Sequence, residues 1–170
     1  LNLARRIPGK EQEFSELIRY FRRRLEKSGV ELRLGKPVDA ETLIVQGFDV
    51  VVLATGVKPR TPEIEGVDSA KVVGYIDVIN GRARIGDRVA IIGTGGIGHD
   101  VAELLTTSKT EPMTNAEFFD AWGVDPTSRT RGGLKEPAKQ HAAREVTLMQ
   151  RGTVKVGARL GKSTGWIHRI

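Results

Sequence analysis

The chain has 170 residues, of which 39% are apolar, 5% aromatic and 28% charged, the balance of a globular chain rather than a disordered one. It contains no Cys, which excludes disulfides, thiolate-bound zinc, Cys-ligated iron–sulfur clusters and thiol redox chemistry within these residues. Lys and Arg total 27 against 21 Asp and Glu, a net charge of +6 that suits phosphate-bearing partners and ordinary solubility alike, and no apolar run approaches the roughly 18 residues of a membrane span.

The first expected element is a helix from about Glu11 to Lys27. Phe14, Leu17, Ile18, Phe21 and Leu25 fall on one face, and Gly29 follows Ser28 as a stop. Its other faces carry Arg19, Arg22, Arg23, Arg24 and Lys27. No aromatic platform interleaves with these charges, so a solvated face is favoured over a nucleic-acid patch. Val30–Leu34 alternates and is expected as a strand. Asp39 is placed to cap a short helix through Val45, without a capping box because Thr42 stands where Glu or Gln would be needed. Residues 48–54, Phe-Asp-Val-Val-Val-Leu-Ala, form a Val-rich run of the kind found in parallel strands covered on both faces. It ends at Thr55-Gly56, before an extended exit containing Pro59 and Pro62. Residues 67–86 are expected to be a linker with a short strand at Val72-Val73 and a helical turn near Ile76 to Ile79.

The pattern restarts at Asp87. Arg88–Ile92 is expected as a buried strand, followed by Gly93-Thr94-Gly95-Gly96-Ile97-Gly98 and a helix through about Leu105. Residues 106–143 are polar and irregular except for a capping box, Thr114 with Glu117, before Phe118, Phe119 and Trp122. Residues 144–150 are expected as another strand, ending at Arg151-Gly152. Repetition of strand, Gly turn and helix argues for an α/β class.

Gly93-x-Gly95-x-x-Gly98 is the sharpest motif, because it follows an apolar strand and opens a helix. The first Gly makes the tight turn, the second admits a pyrophosphate to the backbone, and the third allows close helix–strand packing. A plain Gly-rich βα turn is the competing reading. Arg151 stands at the tip of the next strand with no acidic residue nearby, which favours a 2′-phosphate and hence NADP; a surface Arg is the alternative. Lys155 and Lys162 are placed to add positive charge. Gly161-Lys162-Ser163 lacks the preceding Gly of a nucleoside-triphosphate loop, since Val156 stands at that position. His99, His141 and His168 have no metal-binding spacing, and structural roles are favoured for them. Neither a catalytic residue nor a metal site is expected.

Four segments carry a resemblance: Ala4–Lys10, Ala54–Pro62, Ile91–Gly98 and Leu160–Arg169. They resemble the bacterial NADPH-dependent 2,4-dienoyl-CoA reductases, and the likeness runs through the whole chain. In such proteins an N-terminal barrel holds FMN and the substrate, an iron–sulfur cluster follows, and FAD and NADP domains complete the chain. The resemblance implies Rossmann-like parallel sheets in two incomplete nucleotide-binding lobes of a flavin/pyridine-nucleotide oxidoreductase. It divides the chain into part of an FAD domain (1–66), a linker (67–86) and part of an NADP domain (87–170). The chain opens on Leu1 rather than Met, and a fragment of a longer protein is expected, inactive alone. The cofactor residues it implies are Lys10, Val38, Ala54, Thr55 and Gly56 for FAD, and Gly93, Thr94, Gly95, Gly96, Ile97, Gly98 and Arg151 for NADP(H). Gly152 replaces the second basic residue often found there, and His99 stands where an aromatic residue is common.

The implied activity is hydride transfer from NADPH to FAD for reduction of an unsaturated fatty acyl-CoA in β-oxidation. FMN, the cluster and the acyl-CoA site belong to the full-length parent only. A cytoplasmic protein is expected, with no nucleic-acid or membrane partner. The alternatives are a non-catalytic NADP-binding or regulatory protein, or another flavin oxidoreductase related to trimethylamine dehydrogenase.

Overall fold

The structure is a computed structural model that describes residues 1–108, 113–139, 141–158 and 160–161. Five α-helices appear among them: α1 (Glu11–Lys27), α2 (Ala40–Val45), α3 (Tyr75–Ile79), α4 (Gly96–Thr106) and α5 (Asn115–Trp122). Two strands, β1 (Arg88–Ile92) and β2 (Glu145–Met149), pair in parallel from Arg88 opposite Glu145 to Ile92 opposite Met149. This is the α/β class with a parallel sheet. The chain divides into two units, residues 1–17 with 73–170, and residues 18–72.

In the first unit, Ile7, Ile79, Val101 and Leu105 form a buried cluster, with Leu3, Tyr75, Val78, Ile85, Val89, Ile91, Leu104 and Val146 packed around it. Val101 and Leu105 lie one helical turn apart on α4, so one stripe of that helix faces the sheet. Burial alternates along both strands, with Val89, Ile91, Val146 and Leu148 half-buried and the residues between them exposed. The expectation of a strand buried throughout at 88–92 is therefore corrected: one face of the ribbon is covered and the other is bare. Lys10 Nζ donates to Asp100 Oδ1 at 2.6 Å, which ties the N-terminal segment to α4.

Between α4 and β2, α5 begins with the expected capping box. Thr114 Oγ1 accepts from the Glu117 N–H at 3.3 Å, and Glu117 Oε2 accepts from the Thr114 N–H at 2.8 Å. Gly123 ends the helix in the left-handed region at φ 64°. The loop after it is organised by Asp125, whose carboxylate accepts from the Thr127 hydroxyl and N–H, the Arg129 N–H, and the Thr130 N–H and hydroxyl, at 2.6–3.0 Å. These donors, the Thr127 hydroxyl foremost, hold the Asp125 carboxyl well below the usual carboxylate range.

The second unit contains the C-terminal part of α1, and α2 with Asp39 as its N-cap, accepting from the Thr42 N–H at 2.8 Å. Three expected strands are absent here and just beyond: 30–34, 48–54 and 72–73 are extended or irregular without a ladder. Val50, Val52 and Leu53 are 77%, 81% and 83% exposed. A parallel strand exists only through hydrogen bonds to its neighbours, and no strand among the described residues of 18–72 is available to supply them.

Candidate functional site

The glycine turn joins β1 to α4. Gly93 takes φ +115°, a conformation that L side chains rarely adopt, and its N–H donates to the Met149 carbonyl at 2.8 Å, extending the sheet by one bond. Gly98 packs directly against Gly93. A Cβ on Gly98 would lie 2.1 Å from the Gly93 carbonyl oxygen and 3.8 Å from Ile91 Cγ2. Gly95 is the N-cap of α4 with no side-chain cap bond, and a Cβ on either Gly95 or Gly96 would meet nothing within 4 Å. The first N–H groups of a helix lack intrahelical acceptors and sit at the positive end of its dipole. No acidic side chain occupies that first turn. An open, uncapped, eleven-residue helix N-terminus behind three glycines suits a pyrophosphate.

The end of β2 is clamped to this turn. Thr94 Oγ1 donates to Gln150 Oε1 at 2.5 Å, and Gln150 Nε2 donates to the Gly152 carbonyl at 3.1 Å and also to the Val154 carbonyl. Arg151 follows Gln150 directly and is exposed. The structure thus places Gly93, Thr94, Gly95, Gly96, Ile97 and Gly98 in one turn, with Arg151 on the neighbouring strand end. Gln150 was not foreseen, since a lone Gln after a strand carries no motif. Lys162 and His168 lie outside the described residues, as does most of the Leu160–Arg169 segment.

The residues expected around FAD are divided between the two units. Lys10 belongs to the first unit and is paired with Asp100, while Val38 and Ala54, Thr55 and Gly56 are exposed residues of the second. Gly56 does turn through φ +75°. Among the described residues no group of three His, Asp or Glu side chains could hold a metal ion, and no helix is long and apolar enough to cross a membrane.

The chain belongs to the pyridine nucleotide-disulphide oxidoreductase family, which it matches over residues 40–154. That family implies binding of FAD and NAD(P), and the turn described above is the part of this chain that fits the nicotinamide dinucleotide. Among its relatives, a cinnamate reductase of Clostridium sporogenes is 37% identical over 100 residues, 56% of this chain and 15% of the relative. An NADH oxidase of Thermoanaerobacter brockii is 34% identical over 139 residues, 76% of this chain and 20% of the relative. The structure of a 2-naphthoyl-CoA reductase superposes with a TM-score of 0.53 at 33% identity, over 60% of this chain and 15% of the other. The chain therefore spans a fifth or less of the length of these three proteins.

Proposed function

We propose that this chain is the dinucleotide-handling portion of an FAD-dependent reductase of unsaturated acyl-CoA thioesters, similar to 2,4-dienoyl-CoA reductase, with NADPH as electron donor. The observation that carries the reading is the Gly93–Gly98 turn, packed at Gly98, open at Gly95 and Gly96, and clamped through Thr94 and Gln150 to the strand end that bears Arg151. Cinnamate reductase and 2-naphthoyl-CoA reductase are named for conjugated unsaturated substrates, one of them a CoA thioester, which supports the substrate class. The acyl-CoA, the FMN and the cluster are assigned to parts of a longer cytoplasmic protein outside residues 1–170.

Bound at this turn, the dinucleotide supplies a hydride. The turn's own residues bind and orient. The backbone N–H groups at the start of α4 hold the pyrophosphate, Gly98 lets that helix end approach the strand, and Arg151 pairs with the 2′-phosphate. The relative named for NADH, together with Gly152 in place of a second cation, favours NADH as the competing donor.

Titrations of NADPH and NADH with the full-length protein, wild type against Arg151→Ala, separate the two. A 2′-phosphate carries about −1.5 to −2 charge, and charge-assisted hydrogen bonds to it contribute roughly 1.5–3 kcal/mol. Arg151→Ala should therefore weaken NADPH about 10- to 150-fold and leave NADH nearly unchanged. Equal losses for both would remove Arg151 from the 2′-phosphate.

A further inference from the structure

We propose that His99 is a positioning residue for the dinucleotide pyrophosphate: its ring fixes the Gly95–Gly96 peptide so that the Gly96 N–H faces the ligand. This rests on the dinucleotide reading above.

His99 lies immediately after the last glycine of the turn and is buried, at 8% exposure. Its Nδ1 is 3.1 Å from the Gly95 carbonyl oxygen, and its backbone N–H donates to the same oxygen at 3.2 Å. A carbonyl oxygen only accepts, so Nδ1 carries the hydrogen. In a planar trans peptide the carbonyl and the following N–H point in opposite directions. Two donors drawing the Gly95 oxygen into the helix therefore turn the Gly96 N–H outward, beyond the helix N-terminus. That peptide joins two glycines with open space beside both, so it has the freest backbone of the turn. Gly95, the N-cap of α4, has no side chain of its own to fix that peptide.

The Nε2 side of the ring faces the loop that follows β2. Gly157, buried and at φ +79°, lies against it, and a Cβ there would be 3.7 Å from Nε2. His99 thus stands between the pyrophosphate turn and the loop that follows Arg151. An aromatic hydrocarbon at 99 would fill the same space but lose the bond to Gly95.

The test compares two probes on the full-length protein: 2′-phospho-ADP-ribose, which carries the diphosphate, and adenosine 2′-phosphate, which does not. His99→Phe, with His99→Leu as a second apolar variant, should raise the dissociation constant of the first about 3- to 10-fold, the range of one neutral hydrogen bond. The second probe should bind unchanged. His99→Asn, whose amide nitrogen replaces Nδ1, should restore binding of the first. Losses shared by both probes, an unchanged constant for the diphosphate probe, or failure of Asn to rescue would overturn the positioning role. Wild-type protein that binds neither of these probes nor ADP-ribose would overturn the dinucleotide reading itself.

Discussion

Gly98 is where helix, turn and strand come closest. Replacing a helical Gly by Ala ordinarily gains about 1 kcal/mol in helix propensity. Here the new methyl group would meet the Gly93 oxygen at 2.1 Å, and backbone cannot swing aside as a flexible side chain does. The clash outweighs the propensity gain. Gly98→Ala should destabilise the protein by about 1–3 kcal/mol and weaken NADPH and NADH together, measured by urea unfolding and by titration. A variant as stable as wild type would show that the turn relaxes freely. Asp125 is a second residue whose neighbours set its behaviour. Its carboxyl is held low in the folded chain, so the stabilisation it provides is fully present above the ordinary carboxylate value near 4 and is lost as pH falls through the lower folded value. Amide exchange at Thr127 and Thr130 should stay slow through pH 4 and quicken only well below it, and Asp125→Asn should remove that dependence. Fast exchange at pH 5 in the wild type would contradict the assignment.

At the scale of elements, local chemistry was legible where a single side chain decides the outcome. The Thr114–Glu117 box, the Asp39 cap and the helix α1 each needed only neighbours within one or two turns, and each formed where expected, although α1 buries no residue and Phe21 and Leu25 of its apolar face stay exposed. The Gly turn was equally readable, because φ +115° at Gly93 and the contact at Gly98 demand glycine. Strands were harder. The composition of 48–54 is that of a buried strand, but pairing is a property of two segments, and composition reports only one of them. Residues 88–92 and 145–149 found each other across the intervening residues 93–144, while 30–34 and 48–54 formed no ladder. Gln150 and His99 escaped notice as site residues for a related reason. Their importance lies in reaching Thr94 and Gly95 with hydrogen bonds, and spacing along the chain does not display that.

For the molecule as a whole, the family and the parallel α/β arrangement were within reach of motif and context, because the Gly turn stands between a strand and a helix. The burial of the sheet was not, since it depends on what covers each face. Among the described residues the apolar core of the first unit is correspondingly small: Ile7, Ile79, Val101 and Leu105, ringed by half-buried hydrophobics. The Val-rich stretch from Val50 to Leu53, exposed and unladdered, bears on how the chain behaves in a tube. A short, uncharged, β-branched segment with exposed edges is a template for strand addition by another copy. Concentrated solutions of residues 1–170 should therefore self-associate into β-rich assemblies, detected by light scattering and thioflavin fluorescence. Val51→Lys, by placing a charge inside the segment, should slow their growth; unchanged growth would locate the sticky surface elsewhere. Self-association of this kind would draw on the same hydrogen-bonding groups that a neighbouring strand would otherwise occupy.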